Sequence, residues 1–490
     1  MCEVNTVMGS AVTGPIDEEK NIMPSKTIAH KTGFDVVVIG GGSAGLSAAF
    51  AARNEGASVA IVSFGKLGGE CPNYACVPTK VMLAAANKYD DIRRNASVFG
   101  IDVKNVSFNL SSMMERKDAV VGAMTGGRRL EKILEKEQVT VFRGEARYID
   151  DESIRVGTHI VSAKAFVIAT GSIPRIPPIT GIDTIDYWTP REAISMKELP
   201  ESLAILGGGP IGCEFATFFS LLGIPVIVFD VADRLLPRED AEVAAFVAKA
   251  LMHRGVMFHG NTRVLGITKS GRQLRLTYQT GSTMRNTVRI EKLLIASGRA
   301  PNIEGLDLQN AGIKRDSKND IVIDSAMRIK GKPIFLAGDV SGFPAYTHTA
   351  HHEGVIAGKN AALLAQGKKK FEGVDLRVMP RVTFVSPELA SVGKMSEELV
   401  VQKKQFTIWR FPVGALGRSV IEGERSGVLK VFVDKKSNLI LGASMLGNGA
   451  GEVIHELALA MYANIPFDTV QSMIHAYPTM SEAIPGLIPA

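Results

Sequence analysis

Twice in this chain a short apolar run opens onto a GxGxxG turn, followed by a helical stretch and a second apolar run. Few folds accommodate that order. Residues 35–39 are nearly continuously apolar, as a parallel strand buried on both faces should be. They lead into Gly40, Gly42 and Gly45, a helical run over 46–54, and a second strand over 59–62. Gly40 lets the turn close, Gly42 lets backbone approach a pyrophosphate, and Gly45 packs helix on strand. The phosphates would meet the helix N-terminus, where unbonded N–H groups point outward. The second unit runs from a strand at 203–206 through Gly207, Gly209 and Gly212 to a strand at 226–229. Between residues 203 and 229 the only charge is Glu214, and by length alone the stretch would span a membrane. Gly207-Gly208-Gly209-Pro210 and Pro225 instead cut it into strand, turn, helix and strand. The expected class is therefore α/β, with two Rossmann-like dinucleotide-binding domains.

The ends of the second strands differ. An acidic residue there would hold the adenosine ribose, but the first unit has Ser63, a weaker partner than a carboxylate. The second has Asp230, which favours a free 2′-hydroxyl and predicts NADH over NADPH, with Arg234 nearby to soften the preference. A solvated strand-end aspartate is the plainer alternative. Ala169-Thr170-Gly171-Ser172 and Ala296-Ser297-Gly298-Arg299 each close an apolar strand with a small-residue turn, and Phe335-Leu336-Ala337-Gly338-Asp339 is another strand ending on Gly-Asp.

Between the two units lies Gly69-Glu70-Cys71-Pro72-Asn73-Tyr74-Ala75-Cys76, followed by Pro78 and Lys80. Two cysteines five positions apart can close a small redox-active disulfide. Half of a metal site is the alternative, but a structural zinc takes four ligands. The remaining cysteines, Cys2 and Cys213, lie far off, so no metal site is expected. Beside two dinucleotide sites, the pair reads as an electron relay from nicotinamide through flavin to a dithiol. Four cysteines in 490 residues point to a reducing, cytoplasmic setting. The net charge of +6 is modest, and Lys368-Lys369-Lys370 and Lys403-Lys404 lack interleaved aromatics, so neither nucleic acid nor membrane is an expected partner. Residues 1–33 lack an apolar core and read as a mobile extension.

These motifs, with PTMSE at 478–482, identify the chain from Phe34 to Pro489 as similar to the FAD-dependent pyridine nucleotide–disulfide oxidoreductases. That family includes dihydrolipoamide dehydrogenase, glutathione reductase and mercuric reductase. The resemblance implies FAD-binding parts at 34–188 and 313–375, an NAD(P)-binding domain at 189–312, and an α+β dimerisation domain at 376–490. It further implies a homodimer whose C-terminal segment completes the partner's site. Ile454, Leu457, Ala458 and Met461 form an apolar helical face for that interface or, equally, for the core. By the same resemblance, Cys71 is the interchange thiol and Cys76 the thiol beside FAD. Lys80 reaches the flavin and pairs with Glu214. Asp339 binds the ribityl chain and Ala146 contacts the adenine.

One departure bears on chemistry. Disulfide-reducing members place an acid–base histidine, oriented by a glutamate, where this chain has Tyr477 and Glu482. A phenol titrating near ~10 is a poor proton shuttle at neutral pH. The sequence leaves open whether His475 takes the role. Tyrosine at this position is a feature of mercuric reductases, yet their C-terminal cysteine pair is missing here. Ala75 and Pro210 also replace the usual glycine and tyrosine. The first reading is an NAD(P)H-oxidising flavoenzyme passing electrons to a small non-standard acceptor: a metal ion such as Hg(II), a quinone or an oxidant. Dihydrolipoamide dehydrogenase-type chemistry is the alternative, and a flavin-bound redox sensor the alternative of another class.

Overall fold

The computed structural model describes residues 31–126, 128–282, 285–317, 320–342, 345–424 and 426–490. Most of the expected N-terminal extension thus lies outside the described residues. Its last three residues do not: Lys31, Thr32 and Gly33 begin the strand Lys31–Ile39 and pair with Ile160, Val161 and Ser162. The strand is longer than its apolar run because its first residues pair at the edge of the buried layer.

The first sheet orders its strands Val139–Arg143, Val59–Ser63, Lys31–Ile39 and His159–Ile168, then the antiparallel Ser153–Val156 and Ala146–Tyr148. Ile334–Leu336 returns from far along the chain to lie parallel to His159–Ile168. Register aligns Ile39 with Val62 and Ile168, and Ile168 with Leu336. Four parallel strands therefore end level, at the edge where such sheets bind ligands. The helix Ser43–Asn54 packs against Thr347–Ala365 with little between the backbones. A Cβ on Gly354 would lie 2.3 Å from the Ala44 carbonyl oxygen, and one on Gly358 2.1 Å from that of Ala48. This close approach sets the start of the later helix beside the first glycine turn, where the Ser43 hydroxyl donates to the Thr347 carbonyl at 3.2 Å.

In the second unit the parallel order is Met257–His259, Val226–Phe229, Leu203–Leu206 and Lys292–Ile295. The run at 203–229 is strand, helix (Pro210–Leu221) and strand, with Pro210 at the first helical turn. No helix among the described residues is long and apolar enough to cross a membrane. A six-stranded sheet with the helix Ala450–Tyr462 against it forms the C-terminal α+β unit. Ile454, Leu457, Ala458 and Met461 are buried in that unit's own core, so the interface alternative for them is set aside. Periodicity alone could not separate the two faces, and the exposed one carries Leu459 and Tyr462.

The C-terminal sheet is tied to the second unit by buried ions. Lys430 Nζ lies 2.8 Å from Asp240 Oδ1, and both side chains are nearly inaccessible. Lys430→Met strands a buried carboxylate and should cost ~3–5 kcal/mol, seen as a lower urea midpoint. Adding Asp240→Asn should recover most of the loss. An unchanged midpoint in the single variant would refute the assignment.

Candidate active site

Both glycine turns open into one cavity of about 2280 Å³. From the first unit Gly40, Gly42, Ser63, Ala146, Thr170, Gly171, Ser172 and Asp339 line it, and from the second Gly207, Gly209, Asp230 and Gly298. Cys71, Cys76, Lys80 and Glu214 line it too. Gly45 and Gly212 stand behind it, where an added Cβ would come within 1.8 and 1.9 Å of the carbonyl oxygens of Gly40 and Gly207.

The first turn fits a nucleotide bearing a pyrophosphate. Gly40 has φ +123°, and a Cβ there would lie 2.1 Å from the Ala169 carbonyl oxygen. Gly42 is open: the nearest atom to its Cβ position is Gly69 Cα at 3.7 Å. Thr170 Oγ1 faces this space buried and without a partner among the described residues, an unmet hydrogen bond that a ligand would satisfy. Ser63 is the weak point, because its hydroxyl donates to the Gly65 carbonyl at 3.0 Å and so spends its proton on its own loop. At the second turn the Asp230 carboxylate accepts from the N–H groups of Gly208 and Ala232. Arg234 donates to the carbonyls of Pro237 and Glu239 and to Glu397, each at 3.2 Å, so its guanidinium is engaged away from Asp230.

Cys71 lies in the short helix Glu70–Tyr74 and Cys76 begins the helix Cys76–Asn95; both are free thiols. One turn on, Lys80 Nζ donates to Glu214 at 2.9 and 2.7 Å. The Phe384 N–H donates to the same carboxylate at 3.0 Å, so this half-buried charge pair is well satisfied. The Cys71 hydrogen bond, then Lys80 and Thr347, bring the Cys76 thiol down to about 6 against the opposing effect of burial. Its partner Cys71 is pushed up, first by sharing that hydrogen bond and then by burial. A lowered value means Cys76 is thiolate above about pH 6 and protonates below it. Ultraviolet thiolate absorbance of the reduced protein should therefore show a step near pH 6, shifted upward in Cys71→Ala. A first step near the ordinary ~8.5 would refute this arrangement.

The C-terminal residues stand apart. Tyr477 is 76% exposed and, like Glu482, does not line the cavity of its own chain. Glu482 accepts from the Thr479 N–H at 3.1 Å, capping a short turn. His475 is anchored rather than poised: Nδ1 lies 2.9 Å from the Met473 carbonyl, Nε2 lies 2.8 Å from Glu456, and the side chain is 4% exposed. Both ring nitrogens are thus engaged within its own chain.

Several residues beside the thiols were not expected there from the sequence. Thr347 Oγ1 lies 3.6 Å from Cys76 Sγ across 271 residues of chain. His348 and His455 line the cavity, with His455 Nδ1 held by the Gly451 carbonyl at 2.7 Å. Glu70, Arg191 and Arg299 form an ionic string next to Cys71. Glu70 adjoins Cys71 in the sequence and Arg299 follows Gly298 in its small-residue turn; Thr347, His348, His455 and Arg191 belong to no local motif, and only the fold brings them here. Among the described residues no group of three or more His, Cys, Asp or Glu side chains is arranged to hold a metal ion.

Comparison with known proteins adds the lineage. Residues 34–354 match the pyridine nucleotide-disulphide oxidoreductase family, and residues 379–488 match its dimerisation domain. Mercuric reductase from Staphylococcus aureus is 30% identical over 96% of this chain and 85% of its own length. Dihydrolipoyl dehydrogenase from Bacillus subtilis is 34% identical over 92% and 97%. The Cu(II) complex of RclA, a HOCl-induced flavoprotein disulfide reductase from Escherichia coli, superposes with a TM-score of 0.81 at 29% identity, over 93% of this chain and 98% of that one.

Proposed function

The chain belongs to the pyridine nucleotide-disulphide oxidoreductases, FAD-dependent enzymes that use NAD(P)H, and from this premise we propose that it passes electrons through Cys71 and Cys76 to a thiol-binding metal ion. The single observation that carries this reading is the Cys76 thiol, held toward thiolate next to Cys71 in the cavity shared by both nucleotide turns. Soft thiolates favour ions such as Hg(II) and copper. When bound, FAD supplies two-electron exchange between the nicotinamide and the thiol pair. The protein's part is to orient and to hold charge. Gly40 and Gly42 would admit the pyrophosphate, Thr170 would offer its unmet hydroxyl, and Asp339, which accepts from the Ser172 hydroxyl, would hold the ribityl chain. Lys80, neutralised by Glu214, places a cation beside Cys76. Cys71, held as the protonated partner, is the thiol that meets the acceptor.

The RclA structure bears on the choice of acceptor, because its name records a Cu(II) complex. Dihydrolipoyl dehydrogenase-type exchange is the second reading, favoured by the 34% identical relative. Asp230 supports a preference for NADH, to be measured as the KM ratio of NADH to NADPH in wild type and Asp230→Ala. The dimerisation match supports a homodimer, and the exposed Leu459, Tyr462 and Ile474 offer it an apolar face.

The deciding experiment supplies NADH anaerobically with Cu(II), Hg(II), a quinone or lipoamide as acceptor. Fast metal reduction with slow lipoamide turnover is expected. Fast lipoamide turnover would give the second reading first place, and turnover with the quinone alone would remove the thiols from the pathway.

A further inference from the structure

Glu70 is an unexpected residue where it stands. Its neighbour Gly69 packs directly on the phosphate turn, since a Cβ on Gly69 would lie 2.6 Å from Gly42 Cα. The Gly68 N–H also donates to the Gly41 carbonyl at 2.8 Å. One residue on, Glu70 lines the cavity into which the Gly42 turn opens, so its carboxylate shares that space with any pyrophosphate held there. Left alone it would repel that ligand.

Two arginines meet it. Arg191 binds the Glu70 carboxylate and lies 4.6 Å over the Tyr74 ring, so it grips both ends of the short helix that carries Cys71. Arg299 lies 3.8 Å from Glu70 on its other side. Its own position is fixed by bonds of 2.6 and 2.7 Å to the hydroxyl and carbonyl of Ser172. Arg299 thus has a rigid mount of its own, whereas Arg191 comes from a separate helix, Pro190–Ala193, outside the glycine-turn unit. We propose that Arg191 is a cofactor-retention residue, which neutralises Glu70 and so keeps the first dinucleotide cradle able to hold the FAD pyrophosphate. This inference rests on the Gly40–Gly45 turn being the FAD cradle.

Before the cofactor binds, water screens the pair and it adds little to stability, because both side chains are partly exposed. Filling the cavity displaces that water and strengthens every charge interaction there. Loss of Arg191 should therefore appear in FAD affinity and not in the stability of the FAD-free protein. With its direct partner gone and only Arg299 left at 3.8 Å, Glu70 would then face the incoming phosphates less fully compensated.

The test measures the FAD dissociation constant of the full-length protein, from the free-flavin fluorescence released on serial dilution at low salt. Arg191→Met should weaken binding about tenfold, as expected for one lost charge-assisted interaction near the ligand. The FAD-free melting temperature should not move. Glu70→Gln should bind as tightly as wild type or tighter, and the double variant Glu70→Gln/Arg191→Met should return to near wild-type affinity. A double variant as weak as Arg191→Met would overturn the proposal, because Arg191 would then act on FAD or on the fold directly. So would wild-type affinity in Arg191→Met. Gly42→Val separates this from the cradle assignment: its side chain enters open space, so it should block FAD without disturbing the turn. Normal FAD binding in Gly42→Val would overturn the cradle itself. Blocked binding there, with a normal Arg191→Met, would overturn the role of Arg191 alone.

Discussion

In the Cys76→Ser protein, NADH-driven reduction of Cu(II) or Hg(II) falls by about 10³-fold or more, the scale on which removal of a reacting nucleophile is felt. A quinone able to take electrons ahead of the thiols keeps close to its wild-type rate. The asymmetry follows from geometry. Cys76 is the thiol that Lys80, Thr347 and Cys71 together hold toward its anion. A serine hydroxyl at the same place neither ionises at neutral pH nor binds a soft metal. The two nucleotide turns and the Lys80–Glu214 pair remain in place, so oxidation of NADH is not itself impaired. Equal loss with both acceptors would mean that Cys76 acts on the nucleotide site, and the thiol route would be wrong. No loss with metals would mean that they are reduced elsewhere.

Tyr477→His should act in the opposite sense, raising lipoamide turnover by about 10²-fold, the lower end of what a placed acid–base contributes. The tyrosine is exposed on its own chain and does not line its own thiol cavity. Its backbone follows the anchored His475, so an imidazole inserted there inherits an ordered position. The smaller ring also fits: the tyrosine hydroxyl lies beside Gly417, 2.9 Å from where a Cβ would stand. Activity of the variant should rise with pH through the ordinary imidazole range near ~6.5. Tyr477→Phe should leave metal reduction unchanged, because no base is needed for that acceptor. An unaltered lipoamide rate in Tyr477→His would show that something other than the missing base limits disulfide exchange.

What could be read from the sequence follows the range of the interactions concerned. The glycine turns were legible because the tight turn, the backbone approach and the helix packing all act within six residues. The break of 203–229 into strand, helix and strand was legible for the same reason, through Pro210 and Pro225. The face of Ala450–Tyr462 was not, since a helical stripe looks the same whether it meets its own sheet or a second chain. Ser63 was legible as a departure, but not the turn of its hydroxyl toward Gly65. Arg299 was legible as the end of a small-residue turn but not as a partner of Glu70, and Thr347 and Arg191 were out of reach altogether. Each meets the thiol region only after the sheets have formed, from 121 to 271 residues away in the chain.

The late return of Ile334–Leu336 also dictates an order of assembly on the ribosome. All four strands of the second parallel sheet are synthesised between residues 203 and 295, so that layer can close as soon as it emerges. The first sheet must wait, with the inner part of His159–Ile168 lacking its neighbour until the last third of the chain appears. Through that interval the nascent protein carries an open, apolar sheet edge, the kind of surface that recruits other chains. Chains truncated before Ile334 should therefore aggregate through their N-terminal half while their later half folds, a division that limited proteolysis would reveal.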